Sequence, residues 1–250
     1  MSENNSPDTA DFGFRSVPRG QKATLVREVF DSVAGKYDIM NDLMSLGIHR
    51  LWKHEFISAL DPRPQYKLLD LASGTGDITF GWLAKGGGPV VASDINAAML
   101  AVGEERAAKK GVLADIEYLE ADAENLPLEN GRFDRVSMAF GLRNCTNKDR
   151  VIAEAFRVLK PGGRFLVLEF SALKIAALQG LYDKWSFDVL PKIGGFVAKD
   201  SASYQYLAES IRMFPPQEKL KEMFEQAGFS RVTYRNLSGG IAAIHSGWRL

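Results

Sequence analysis

From Tyr66 onward, short apolar runs rich in Val, Ile, Leu and Phe alternate with segments whose apolar residues return every three or four positions. The runs KLLDLA (67–72), VVASDI (90–95), IEYLE (116–120), RVSMAF (135–140) and RFLVLEF (164–170) read as five strands. Helical spacing falls between them at Ile78 to Leu83, Ala97 to Lys110 and Asp149 to Leu159, the last after a Thr146/Asn147 cap. Such alternation builds a parallel sheet, because each parallel crossover needs a dozen or more residues and a helix supplies them. Lys160 to Gly163, KPGG, reads as a turn that stops the third helix and opens the fifth strand. A helix from Gln217 to Ala227 and two closing runs, VTYRN (232–236) and IAAIH (241–245), complete a seven-stranded, doubly wound α/β sheet.

The flanks follow other patterns. Residues 1–20 are rich in Ser, Asn, Asp, Pro and Gly and read as a flexible leader. The remainder, 21–250, reads as a single domain. Within it, residues 21–65 carry apolar residues at helical spacing in short segments broken by Gly35 and Gly47, which predicts a helical cap ahead of the sheet. Residues 171–216 are too many for a plain loop and predict a helical insertion before the last helix. Its aromatic and aliphatic side chains, Leu181, Trp185, Phe187, Tyr204 and Tyr206 among them, suit a packed subdomain or a lid for an apolar substrate.

Composition narrows this little. Lys plus Arg equals Asp plus Glu at 31 each, so no net field draws the chain to nucleic acid. Cys145 is the only cysteine, which rules out an internal disulfide and any cysteine-cluster metal site and suits a cytoplasmic, reducing setting. His49, His54 and His245 are too scattered to propose a metal site. No run approaches the ~20 apolar residues that span a bilayer, so any membrane contact is expected at its surface.

The densest chemistry lies at the end of the first predicted strand, in Leu68 to Asp77, LLDLASGTGD. A strand ending in Asp70, a loop Ser73-Gly74-Thr75-Gly76 and a helix let the backbone approach a ligand at the carboxyl edge of a sheet. The next strand ends in Asp94, with Ile95 after it, where a carboxylate can accept hydrogen bonds from two ribose hydroxyls. A dinucleotide oxidoreductase shares this grammar, yet three details speak for S-adenosylmethionine. Thr79 stands where the third glycine of GxGxxG belongs. Asp70 and Asp77 would repel a pyrophosphate but suit a sulfonium and an ammonium. Asp122-Ala123, after the third strand, can meet an adenine amine while leaving room for the ring. The residues therefore predict a class I methyltransferase with a Rossmann-like sheet. Asp77 alone could instead cap the following helix.

Further stretches resemble the ubiquinone/menaquinone biosynthesis C-methyltransferase family. Tyr37-Asp-Ile-Met-Asn41 through His49-Arg-Leu-Trp52 is similar to its N-terminal signature, and Arg157 to Gly163 with Leu168 to Ser171 to its second. Phe140-Gly-Leu-Arg143-Asn144 and Tyr204 to Arg212 are similar as well, so the resemblance runs from about Phe12 to the C-terminus. One departure is Ala139, where relatives often carry a serine beside the cofactor; its backbone could still serve. Phe12 to Arg15 and the GIHRLWK run look most like the ubiquinone branch.

That resemblance implies methylation of a ring carbon in a polyprenylated quinol, with S-adenosylmethionine and no metal. The ring carbon needs added electron density, which deprotonation or strong hydrogen bonding of a phenol provides. Arg143 and Asn144, in the loop after the fourth strand, are the expected catalytic pair, Arg143 stabilising a phenolate because a guanidinium is a poor base. His49 is the alternative direct base. Tyr37 and Asn41 share a helical face that would cover the site, Tyr37 with a catalytic role and Asn41 toward the substrate. Tyr206 and Arg212 are expected to flank the substrate or the cofactor, with a surface pair as the plain alternative. Packing of the cap and a structural salt bridge are the plain alternatives for Tyr37, Asn41 and Arg143.

The expected company is the inner membrane surface on its cytoplasmic side, a ubiquinone biosynthesis complex and a homodimer, with no nucleic acid. Two other functions stay open on residues alone: a methyltransferase for another lipid, such as a sterol or phospholipid amine, and a quinone-binding subunit without chemistry.

Overall fold

The computed structural model describes residues 8–33, 47–173 and 201–250. Its first element corrects the reading of a loose leader where the leader is described, from residue 8 on; residues 1–7 lie outside the described residues. Thr9–Phe12 (β1) and Arg15–Pro18 (β2) pair antiparallel as a hairpin. The reason is a distant partner: the Phe12 ring stacks on Tyr206, centroids 4.2 Å apart, and the Phe14 amide donates to Glu209 at 3.0 Å. Local composition registers a polar stretch and misses both contacts.

Helix α1 (Arg19–Val33) follows directly. Tyr37 and Asn41 lie outside the described residues. Helix α2 (His49–Leu60) buries Trp52, Phe56, Ile57 and Leu60, one stripe at helical spacing, and stops at Asp61 in the left-handed region.

The sheet then builds as the alternation predicts: β3 (Leu68–Leu71), α3 (Asp77–Ala84), β4 (Val90–Asp94), α4 (Ala97–Lys110), β5 (Ile116–Glu120), β6 (Phe133–Ala139), α5 (Lys148–Val158) and β7 (Leu159–Phe170). Helices α6 (Ser201–Met213) and α7 (Gln217–Gln226) precede β8 (Ser230–Leu237) and β9 (Ala242–Trp248). Helix α6 is the described end of the expected insertion; residues 174–200 lie outside the described residues. Seven strands run in the order β5-β4-β3-β6-β7-β9-β8, with β5 to β7 parallel and β9 antiparallel to both its neighbours.

The cap read at Thr146/Asn147 closes through Asn147, and the structure adds one at Asn96. The Asn147 side chain accepts from the Arg150 amide at the start of α5, and Asn96 from Met99 at the start of α4. The KPGG stretch is not a separate turn but the bulged start of β7: Leu159 pairs with Phe133 and Arg164 with Arg135, and Gly162 takes a φ of +79°.

All four β3 residues are buried, as a central parallel strand covered on both faces requires. Alternate residues serve opposite cores. Leu68, Leu166 and Leu168 join Trp52, Phe56 and Leu207 under α2 and α6, while Leu69, Phe165 and Val167 join Ile152, Leu220 and Phe224 under α5 and α7. Each buried Leu or Phe contributes about 1.5–3 kcal/mol. Between β3 and β6 the chain reverses its winding direction, and the carboxyl ends of strands open there into a crevice.

Candidate active site

At that switch point lies a cavity of about 550 Å³. Gly74, Asp94, Ile95, Asp122, Ala123 and Ala139 wall it from the sheet side, as the sequence predicts. Ala23, Val26 and Arg27 of α1 wall it from the cap. Two bonds tie α1 there: Lys22 Nζ donates to the Cys145 carbonyl at 3.1 Å and Arg27 to the Ile95 carbonyl at 3.2 Å. Burial pushes the Lys22 ammonium down to about 8.

Two strand ends carry unusual backbone. Ala72 after β3 and Phe140 after β6 both have positive φ, 49° and 58°, although neither is glycine, and both line the cavity. Gly141 is required for a different reason: a Cβ there would lie 2.6 Å from that of Ala72, so the two loops meet closely only because one side chain is missing.

The glycine loop corrects one expectation. Three of its four amides bond within the protein rather than reaching out to a ligand. Gly74 N–H donates to Asp94 Oδ2 at 2.8 Å, Ser73 N–H to the Ser93 carbonyl at 3.0 Å, and Gly76 N–H to the Ser73 carbonyl at 3.0 Å. A pyrophosphate would need such donors. What remains is close approach to a nucleoside, and Asp94 fits that: its Oδ1 accepts from Asn96 N–H at 2.9 Å, and it lines the cavity, where a carboxylate oxygen can accept from a ribose hydroxyl. Burial raises its pKa while three backbone amides hold it back. Asp122, exposed, lies across the cavity wall with Ala123 beside it.

Asp70 is 1% exposed. Burial pushes its pKa up to about 6, against the hydroxyls of Thr79 and Ser137, which donate to it at 2.8 and 2.7 Å. Thr79 therefore has a positive reason to replace the third glycine. Ser137 was missed in the sequence; the signal was its place in the RVSMAF run, directly opposite Asp70 in the β3–β6 register. Asp77 is not available to a cofactor cation, since Lys53 and Arg106 hold it at 2.6 and 2.8 Å and draw its pKa down despite burial. The Thr75 hydroxyl likewise accepts from Arg106 at 2.7 Å. Gly76, not Asp77, is the N-cap of α3, with a φ of 90°.

The expected catalytic and substrate residues divide. Asn144 lines the cavity, and its Oδ1 accepts from the Tyr206 hydroxyl at 3.1 Å, so these two come together across 62 positions of sequence. Burial raises the Tyr206 pKa, so it stays a neutral donor. Arg143 does not face the cavity. Its side chain is 1% exposed and donates to Glu169, also 1% exposed, at 2.9 Å, and to the Phe140 carbonyl. Its amide donates to the same carboxylate at 3.1 Å, which makes the structural salt bridge the observed arrangement. His49 is buried at the start of α2, and Arg212 is half-buried on α6; neither lines the cavity.

A phosphate-free nucleoside site beside a buried carboxylate, at the switch point of this strand order, defines a class I S-adenosylmethionine-dependent methyltransferase. Solved structures share the fold: a methyltransferase from Thermotoga maritima, described as a possible histamine N-methyltransferase, superposes with a TM-score of 0.63 at 19% identity, covering 90% of this chain and all of that one. A Haemonchus contortus phosphoethanolamine N-methyltransferase in complex with S-adenosyl-L-methionine gives 0.60 at 16%, over 79% of this chain and 52% of that one. The model of the ubiE/COQ5 methyltransferase family matches residues 18–249, and the chain belongs to that family. It is 68% identical over 245 residues to the ubiquinone/menaquinone biosynthesis C-methyltransferase UbiE of Acidiphilium cryptum, covering 98% of both chains. To the protein of that name from Idiomarina loihiensis it is 51% identical over 251 residues, covering both in full.

Proposed function

We propose that this enzyme methylates a ring carbon of a polyprenylated quinol, a methoxybenzoquinol, a demethylmenaquinol or both. Identity of 51–68% to ubiquinone/menaquinone C-methyltransferases along the whole chain carries this reading. S-adenosylmethionine, when bound, supplies an electrophilic methyl group. Asp94 and Asp122 hold and orient the nucleoside, and Asp70 balances positive charge beside the glycine loop. Asn144, its Oδ1 accepting from the Tyr206 hydroxyl, offers its amide N–H donors to a phenolic oxygen of the ring; donating there favours the phenolate, the proton passing to water. The electron-rich ring carbon then takes the methyl as its bond to sulfur breaks, and the ring proton leaves to water. Arg143 acts as a positioning residue: with Glu169 it locks the 140–144 loop that presents Asn144. Ring alignment and phenol recognition thus come from β6 and α6, nucleoside recognition from β3, β4 and β5.

A polyprenyl tail keeps the substrate in a bilayer. No helix among the described residues is long and apolar enough to cross one. The enzyme is proposed to meet its substrate at the membrane surface, on the cytoplasmic side that its lone free cysteine suits. The test is a substrate panel: purified protein, S-adenosylmethionine and, separately, a reduced demethyl benzoquinol, a demethylmenaquinol, a sterol and a phospholipid amine. Methylated product from a quinol alone is expected; product from the sterol or the amine alone would overturn the reading.

A further inference from the structure

Among the described residues Lys22 is the only buried lysine, 3% exposed, and the proposed chemistry makes no use of it. It sits on α1 one turn before Val26, so the two share a face of the helix, and Val26 walls the nucleoside cavity. Its Nζ donates to the carbonyl of Cys145, the residue after Asn144, and both of these line the same cavity. One side chain therefore joins two walls: the α1 wall on the cap side and the loop that presents Asn144.

The loop needs such an outside donor. Its short 3₁₀ turn, Leu142–Asn144, gives way at Cys145 to extended backbone. Among the described residues the Cys145 carbonyl then accepts from ammonium groups alone, Lys22 at 3.1 Å and Lys148, the first residue of α5, at 3.5 Å. Asp11 on β1 and Glu124 after β5 lie within electrostatic reach, so two cations meet two carboxylates and the charges balance. Glu124 is already engaged, accepting from the Asn147 amide at 2.8 Å. Of the two ammonium groups, Lys22 is the nearer and the more buried, where a charged hydrogen bond is least screened. Burial, and after it Lys148, push its pKa down to about 8, against Cys145, Asp11 and Glu124.

We propose that Lys22 is a positioning residue for methyl transfer: by holding the Cys145 carbonyl it sets the angle at which Asn144 meets the phenol and fixes that loop to the helix walling the nucleoside cavity. This rests on the reading of Asn144 as the side chain that binds the phenolic oxygen. The charge on Lys22 matters, because a charged donor holds a carbonyl about twice as strongly as a neutral one. The clamp therefore weakens as the ammonium loses its proton.

Kinetics on the full chain, with S-adenosylmethionine and a reduced demethyl quinol, test it. Lys22→Met keeps the length of the side chain and removes the donor. It is expected to lower kcat about tenfold, the worth of one charged hydrogen bond, while calorimetry finds S-adenosylmethionine bound within about threefold of native affinity. The ratio of native to Lys22→Met turnover is expected to fall severalfold between about pH 7 and 9; taking the ratio cancels the phenol's own titration, which both proteins share. In the Asn144→Ala background, Lys22→Met is expected to cost nothing further, since it acts through Asn144. Native turnover in Lys22→Met, a ratio flat with pH, or a full second loss in the double variant overturns the proposal and leaves the role of Asn144 standing. Native turnover in Asn144→Ala overturns that role, and this proposal with it; no turnover of any quinol by the native protein overturns the proposed function itself. A variant that has lost its fold reveals itself by losing S-adenosylmethionine, and Lys22→Gln then takes its place under the same readings.

Discussion

At the scale of single residues, Asp70 makes the sharpest pH prediction. Its folded-state pKa, raised to about 6, means the folded protein holds a proton below that pH that an unfolded carboxyl releases near its ordinary 3.8. The native state therefore binds the extra proton between those values, and Asp70's contribution to stability falls as pH rises from about 4 to 6. Cofactor binding has the opposite sign, because an ammonium favours the charged carboxylate. Affinity for S-adenosylmethionine should weaken by up to about tenfold per unit as pH drops below 6. Asp70→Asn should bind more weakly and without that slope. A native protein whose affinity is flat from pH 5 to 7 would remove Asp70 from the site.

At the scale of elements, the hairpin, α1 and α6 act together. Phe12 on Tyr206, Phe14 on Glu209 and Lys22 on Cys145 join the N-terminal elements to α6 and to the loop carrying Asn144. Phe12→Ala should cost about 3 kcal/mol of unfolding free energy and raise amide exchange across residues 9–33, since a buried aromatic leaves a cavity. Unchanged exchange would mean that the hairpin is a passive appendage. The strands and the helices between them were legible because periodicity reports burial directly: LLDL, fully buried, could only be central. The hairpin was not, because its buried aromatic anchor finds its partner 194 positions away, Phe12 against Tyr206. The same limit applied to the site. Asp94 and Asp122 could be placed from strand ends, whereas the direction of the Arg143 side chain depends on Glu169, a residue on the neighbouring strand β7.

Across the whole molecule, the Arg143–Glu169 pair separates structure from catalysis. Breaking one partner of a buried ion pair costs about 3–5 kcal/mol, and replacing both by apolar residues often restores much of it. Arg143→Leu should therefore be strongly destabilised in denaturant unfolding, and Arg143→Leu with Glu169→Leu markedly less so. Reduced turnover in a double variant that is folded and binds S-adenosylmethionine normally is the expected mark of a positioning role. Native turnover in that double variant would show the pair to be structural only.

The whole account turns on where the methyl group goes. With S-adenosylmethionine carrying a ¹³C-methyl group and a reduced demethyl quinol, carbon NMR of the product reports the atom that received the label. A signal from a methyl on the aromatic ring carbon is predicted, with S-adenosylhomocysteine formed in equal amount; a signal from an O-methyl or N-methyl group would contradict it.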